Sequence, residues 1–184
     1  MKKEYFTIPN LLGYLRIMLL PVFLYFYYHA ETLEEYLVAF LILAVAMLTD
    51  VFDGMIARKF NQVTDSGKAL DPIADKLTQG VLAIAVSFHY PLIFLFIVLF
   101  VVKEVYMGIM GLYIINKKKI WIAAQWFGKV STVILDAGIF ALLVFPNLNI
   151  TVANIMIFFM MFILIFSLVN YIFYHRKVLK EKMA

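Results

Sequence analysis

The sequence contains no cysteine in 184 residues, which excludes disulfides, thiolate metal sites and cysteine nucleophiles. It is also poor in charge. Only 15% of its residues are Asp, Glu, Lys or Arg, too few to give a soluble domain of this length a polar surface. Internal repeats and low-complexity tracts are missing as well, and apolar residues run continuously instead of alternating, which argues against a β-barrel. What fills the chain is hydrocarbon: 65% of residues are hydrophobic and the mean hydropathy is +0.93. At about 20 apolar residues per membrane-crossing helix, the length has room for about six crossings and short connections.

The apolar runs fall near residues 10–28, 36–58, 70–88, 91–115, 126–145 and 151–174. The expected fold class is therefore all-α: a polytopic integral membrane protein with six transmembrane helices, organised as a single domain over residues 1–184. Basic residues occur at Lys2 and Lys3, at Arg58, Lys59 and Lys68, at Lys117 to Lys119, and at Arg176, Lys177, Lys180 and Lys182. The intervening connections near 29–35, 89–90 and 146–150 have no Lys or Arg, and the first carries Glu31, Glu34 and Glu35. By the positive-inside rule both termini are cytoplasmic. Lys2 and Lys3 precede an apolar stretch, but Arg16 interrupts it and no A-x-A-like site follows, so a cleaved signal peptide is not expected. The cations are scattered over short segments with no surface to track a phosphate backbone. They suit anionic membrane lipids, and no nucleic-acid partner is expected.

Against this apolar background the stretch from Asp50 to Lys76 holds five aspartates. Asp50 and Asp53 are three apart and Asp71 and Asp75 four apart, so each pair shares one face of a helix. The short connection makes the two helices antiparallel neighbours able to point four carboxylates at one another. Each charge costs about 2.5–3.5 kcal/mol near the bilayer centre, so a positive partner is required. Oxygen-only ligands on helices suit hard divalent cations, Mg²⁺ or Mn²⁺, and four carboxylates suffice for two ions. The plainer alternative is snorkelling at helix ends, with Asp71 an N-cap before Pro72. Asp50 fits that poorly, lying about 12 Å of helix inside Arg58. Asp65 belongs to a Thr64-Asp65-Ser66-Gly67 turn. Gly54, Ala57 and Gly67 avoid bulk. Small residues on membrane helices commonly serve packing, but beside paired carboxylates and Arg58 they also let a base and a diphosphate approach the backbone. A nucleotide-diphosphate site opening to the cytoplasm accounts for the combination.

Asp50, Asp53, Gly54, Ala57, Arg58, Gly67, Asp71 and Asp75 fill all eight fixed positions of D-x2-D-G-x2-A-R-x8-G-x3-D-x3-D. The chain thereby resembles the CDP-alcohol phosphatidyltransferase family, and the likeness extends to IPNLLGYLR near the start and WFGKVST later. The resemblance implies six transmembrane helices, a homodimer, and transfer of a phosphatidyl group from CDP-diacylglycerol to an alcohol acceptor with release of CMP. It also implies that Asp50, Asp53, Asp71 and Asp75 hold two divalent ions, Mg²⁺ or Mn²⁺, and that Asp75 is the catalytic general base. Gly54, Ala57, Arg58, Thr64 and Gly67 would line the CDP site. Metal charge would stabilise the diphosphate while a carboxylate takes the acceptor's proton.

For the acceptor, the candidates are Lys103, Lys129 and Arg16, cations within spans that could bind a phosphate. Lys103 could instead pair with Glu104 or Asp136, and Lys129 and Arg16 could snorkel. The IPN start, the Lys103-Glu104 pair and the GKVST segment resemble the branch of phosphatidylglycerophosphate synthases, which use glycerol 3-phosphate. That branch often has Arg where this chain has Lys103 and Gly111, a departure that keeps phosphatidylglycerol, the acceptor of cardiolipin synthases, as the alternative. From another class, a small ion or proton transporter could use buried aspartates as a relay. It would not need Gly54, Ala57, Arg58 and Gly67 at these spacings. Met156, Met160 and Met161 are expected in packing or lipid contacts, Trp121 and Trp126 near interfaces, and Gly108 and Gly111 where helices approach closely.

Overall fold

A computed structural model describes residues 7–60, 64–120 and 125–180, with backbone alone at 65, 66, 68 and 69. Among them are six helices and no strand: α1 (Ile8–His29), α2 (Leu33–Lys59), α3 (Asp65–Ser87), α4 (Ile93–Lys118), α5 (Trp126–Val144) and α6 (Ile150–Lys180). The chain forms two compact units, the first ending at Ala85 and the second starting at Val86.

In the first unit α1 packs along α2. α1 opens with Pro9, placed where a missing N–H costs nothing. α2 opens with a full capping box: Thr32 Oγ1 accepts from the Glu35 amide at 3.3 Å, and Glu35 Oε2 accepts from the Thr32 amide at 3.0 Å and the Glu31 amide at 2.7 Å. Buried Leu20, Phe23 and Tyr27 of α1 and Ala39, Leu43 and Ala46 of α2 form the apolar core. α3 starts five residues earlier than its apolar run, because Thr64 caps it. The Gly67 amide donates to Thr64 Oγ1 at 3.0 Å, the N-cap to N3 bond. Asp65 is accordingly the first residue of the helix and not part of a loop, and Asp71 and Pro72 lie in its interior. This overturns the alternative that made Asp71 an N-cap.

In the second unit α6 packs against both α4 and α5. Its buried stripe runs through Ile157, Met160, Met161, Leu164, Ser167, Tyr171 and His175. Met160 and Met161 are thus core residues, with Met156 half-buried. The close approaches are made at Gly128, where a Cβ would collide with the Tyr171 ring, and at Gly138, where it would meet Met160 Sδ at 2.6 Å. Gly108 and Gly111 have no such neighbour among the described residues, which corrects the expectation for that pair. The Tyr90 hydroxyl donates to the Phe145 carbonyl at 2.6 Å and accepts from the Leu148 amide at 2.9 Å, tying the α3–α4 connection to the α5–α6 connection.

Five helices, α1, α2, α4, α5 and α6, are long and apolar enough to cross a membrane. α3 has the length, 23 residues or about 35 Å, but Asp65, Lys68, Asp71, Asp75 and Lys76 keep it below the apolarity of the others. Large apolar side chains such as Met18, Leu41, Ile73, Leu112, Val133 and Phe162 are more than half exposed. Hydrocarbon is the solvent that suits so much outward apolar surface, and the chain is a multi-pass membrane protein. Trp121 lies outside the described residues.

Candidate active site

The first unit brings together charges that are far apart in sequence. Asp50, Asp53, Gly54 and Ala57 follow one face of α2 at spacings of three, four and seven. Asp71 and Asp75 lie on α3, one turn apart. Between the helices stands Arg16 of α1, buried with 2% of its surface exposed. Its Nη1 lies 2.5 Å from Asp50 Oδ1 and 2.8 Å from Asp75 Oδ1, and its Nη2 lies 3.7 Å from Asp53 Oδ2. Asp71 sits in the field of Arg16, Asp50 and Asp75. The four aspartates therefore form one cluster around a guanidinium.

Burial is uneven across this cluster. The Asp53 side chain is 8% exposed, whereas those of Asp50 and Asp75 are 43% and 58% exposed. Among the described residues, Asp53 Oδ2 and Arg16 Nη2 and Nε are buried without a hydrogen-bond partner. One guanidinium cannot neutralise four carboxylates, so the site keeps strong affinity for further positive charge. Among the described residues, no three Asp, Glu or His side chains stand at the spacing that would hold one ion in this arrangement. The donor set still fits a hard divalent cation: all oxygen, in excess of its counter-charge, and with Asp53 Oδ2 unsatisfied.

The small residues flanking the aspartates are not equivalent. Among the described residues, a Cβ on Gly54 would meet only Arg58 Nη2, at an ordinary 3.7 Å. No described residue demands glycine there. A Cβ on Gly67 would come within 2.8 Å of Asn10 Oδ1 and 3.1 Å of Thr64 Oγ1, so the fold itself requires Gly67 to be bare. Ala57 is half-buried and Arg58 exposed.

These residues belong to a pattern shared across a family. The CDP-alcohol phosphatidyltransferase family profile matches residues 6–169, nearly the whole chain and both compact units. The chain belongs to the CDP-alcohol phosphatidyltransferase family. It is 33% identical over 178 residues to the CDP-diacylglycerol–glycerol-3-phosphate 3-phosphatidyltransferase of Escherichia coli strain K12, covering 91% of this chain and 93% of that protein. Proteins of the same name from Shigella sonnei strain Ss046 and Shigella boydii serotype 4 strain Sb227 match with the same identity and coverage.

The two candidate acceptor cations of the second unit have surroundings of their own. Lys103 is buried in α4 and forms a 2.9 Å ion pair with Glu104, as the pairing alternative required. Lys129 is exposed in the first turn of α5. Two features have no signal in the sequence read locally. The contact of Arg16 with aspartates on two other helices has no local signature. Asn10 is buried and bonded to Thr64, and its only signal in the sequence is its place in the IPN segment.

Proposed function

We propose that this family member transfers the phosphatidyl group of CDP-diacylglycerol to glycerol 3-phosphate, making phosphatidylglycerophosphate and releasing CMP. The observation that carries the assignment is the convergence of aspartates from α2 and α3 on one site. The relatives that align with nine-tenths of the chain are named for glycerol 3-phosphate, and this supports that acceptor over phosphatidylglycerol. A transporter finds no support among them.

In the reaction, the acceptor hydroxyl oxygen forms a bond to the lipid-bearing phosphorus while the bond from that phosphorus to the CMP oxygen breaks. Asp75 takes the hydroxyl proton. Its carboxylate is the most open of the three that touch Arg16, as a base that must meet substrate should be. Asp50, Asp53, Asp71 and Asp75 would hold two divalent ions, Mg²⁺ or Mn²⁺. Those ions, when bound, supply positive charge to the diphosphate and to the departing CMP. Gly54 leaves α2 bare where the nucleotide approaches, Arg58 offers its exposed guanidinium to phosphate, and Ala57, Thr64 and Gly67 complete the CDP site. Lys103, Lys129 and Arg16 are each, on charge, candidates for the acceptor's phosphate. The protein would work as a single-domain homodimer with six crossings, α3 included, both termini in the cytoplasm and the active site facing it.

The test is purified protein with Mg²⁺ or Mn²⁺, CDP-diacylglycerol and one acceptor at a time, with the lipid product read by mass spectrometry. Phosphatidylglycerophosphate from glycerol 3-phosphate is the expected product. Cardiolipin from phosphatidylglycerol alone would move the protein to the other branch, and no CMP release with any alcohol would end the enzymatic assignment. Asp75→Asn should lower kcat by about 10²–10⁴-fold and still bind CDP. Retained turnover would place the base elsewhere.

A further inference from the structure

We propose that the outward face of α6 binds one anionic phospholipid, its acyl chains along Phe162, Phe166 and Phe173 and its headgroup phosphate on Arg176, Lys177 and Lys180. The inference stands on the multi-pass membrane placement and is independent of which alcohol accepts the phosphatidyl group.

α6 is longer than a crossing requires. Its 31 residues span about 46 Å, against about 30 Å of hydrocarbon. With Ile150 at one boundary, Phe173 falls just past the other, and Arg176 to Lys180 lie in the headgroup layer. This stretch belongs to the packed unit, because His175 is buried and its Nδ1 lies 3.3 Å from the Tyr106 hydroxyl of α4. The face of α6 that carries Leu164, Tyr171 and His175 is turned inward. Residues 162, 166, 173, 176, 177 and 180 share the opposite face, and all six are exposed.

Along this outward face the chemistry changes once. Phe162 and Phe173 are 63% and 64% exposed, aromatic surface suited to acyl chains, and past Phe173 the face turns cationic. An open groove of about 540 Å³ lies at the change, lined by Phe173, Arg176, Lys177 and Lys180. Aromatic surface running into three cations is the complement of a molecule that is hydrocarbon at one end and negative at the other. A soluble phosphate would meet the cations and leave the aromatic face unused. A zwitterionic lipid would cover the aromatic face but bring its own positive charge towards Arg176 and Lys180. An anionic phospholipid satisfies both halves. Each cation at the membrane surface strengthens the hold on anionic lipid about fivefold, and three on one face act together.

The test uses the full chain purified in detergent, with CDP and MgCl₂ present to occupy the active site. Phosphatidylserine is the probe, an anionic lipid that is neither substrate nor product of the proposed reaction. Titration read by native mass spectrometry should show one phosphatidylserine per protomer, held at least about tenfold more tightly than phosphatidylcholine with the same acyl chains. The triple variant Arg176→Gln, Lys177→Gln, Lys180→Gln should weaken phosphatidylserine about a hundredfold and leave phosphatidylcholine within about twofold. Inorganic phosphate and glycerophosphoserine, which lack acyl chains, should not displace the lipid. If the triple variant does not fold, wild type still decides, because raising the ionic strength should release phosphatidylserine and spare phosphatidylcholine. Equal affinity for the two lipids, unchanged binding in the triple variant, insensitivity to ionic strength, or displacement by either soluble phosphate would each overturn the proposal. So would an intermolecular disulfide in Phe166→Cys, formed in a chain with no other cysteine, since it would place a second copy of the chain on this face.

Discussion

Arg16 shows what a single residue does in this fold. It holds three carboxylates from two helices, and its removal leaves the nearly buried Asp53 beside like charges. Breaking a fully buried pair costs about 3–5 kcal/mol, but Asp50 and Asp75 are substantially solvated, so Arg16→Gln should cost on the order of 2 kcal/mol. Thermal unfolding in detergent measures this, and an unchanged Tm would show the guanidinium to be dispensable. Gly54 offers the opposite test. Its would-be Cβ makes an ordinary contact and alanine favours helix, so Gly54→Ala should keep or slightly raise Tm. If the nucleotide passes close to α2 there, the same variant should still raise KM for CDP-diacylglycerol. The aspartates were legible because charge in an apolar chain is conspicuous and their spacings match a helix. Arg16's partners were not, since no spacing within α1 reveals what α2 and α3 bring to it.

At the scale of elements, ends and contacts were harder to foresee than helices. The Thr32-x-x-Glu35 capping box is legible in the sequence, within the same acidic connection that marks topology. The start of α3 was hidden because its first turn is polar and its cap, Thr64, is held from another helix. Glycines divided in the same way. Gly128 lies against Tyr171 and Gly111 against nothing among the described residues, and only the packed structure separates them. Gly128→Ala should cost about 1–3 kcal/mol by overpacking, whereas Gly111→Ala should be neutral or stabilising by up to about 1 kcal/mol. Comparing the two Tm values checks this. Tyr90→Phe removes both ends of the tie to Phe145 and Leu148 and should cost about 1–3 kcal/mol, seen as faster hydrogen exchange at the Leu148 amide.

For the whole molecule, the missing cysteines become an experimental asset. A single cysteine can be placed anywhere without background, and impermeant labelling then maps each connection. Cysteines replacing Lys59 and Lys118 should react only from the cytoplasmic side, and those replacing Glu31 and Asn147 only from the opposite side. Glu31 and Lys59 labelling from one side would remove α2 as a crossing and overturn the proposed orientation. Composition alone determined that the chain lives in a membrane as helices, because 65% hydrophobic content leaves no polar surface and continuous runs leave no alternation. The eight-position pattern was likewise complete in one dimension. Only tertiary structure decided that Arg16 serves the aspartates, that Asn10 holds Thr64, and that Gly67 is bare for the protein's own sake. The physical reason is one of range. Hydropathy and helical spacing are properties of neighbours along the chain, whereas an ion pair or a steric limit belongs to residues 54 or 59 positions apart that only packing brings together.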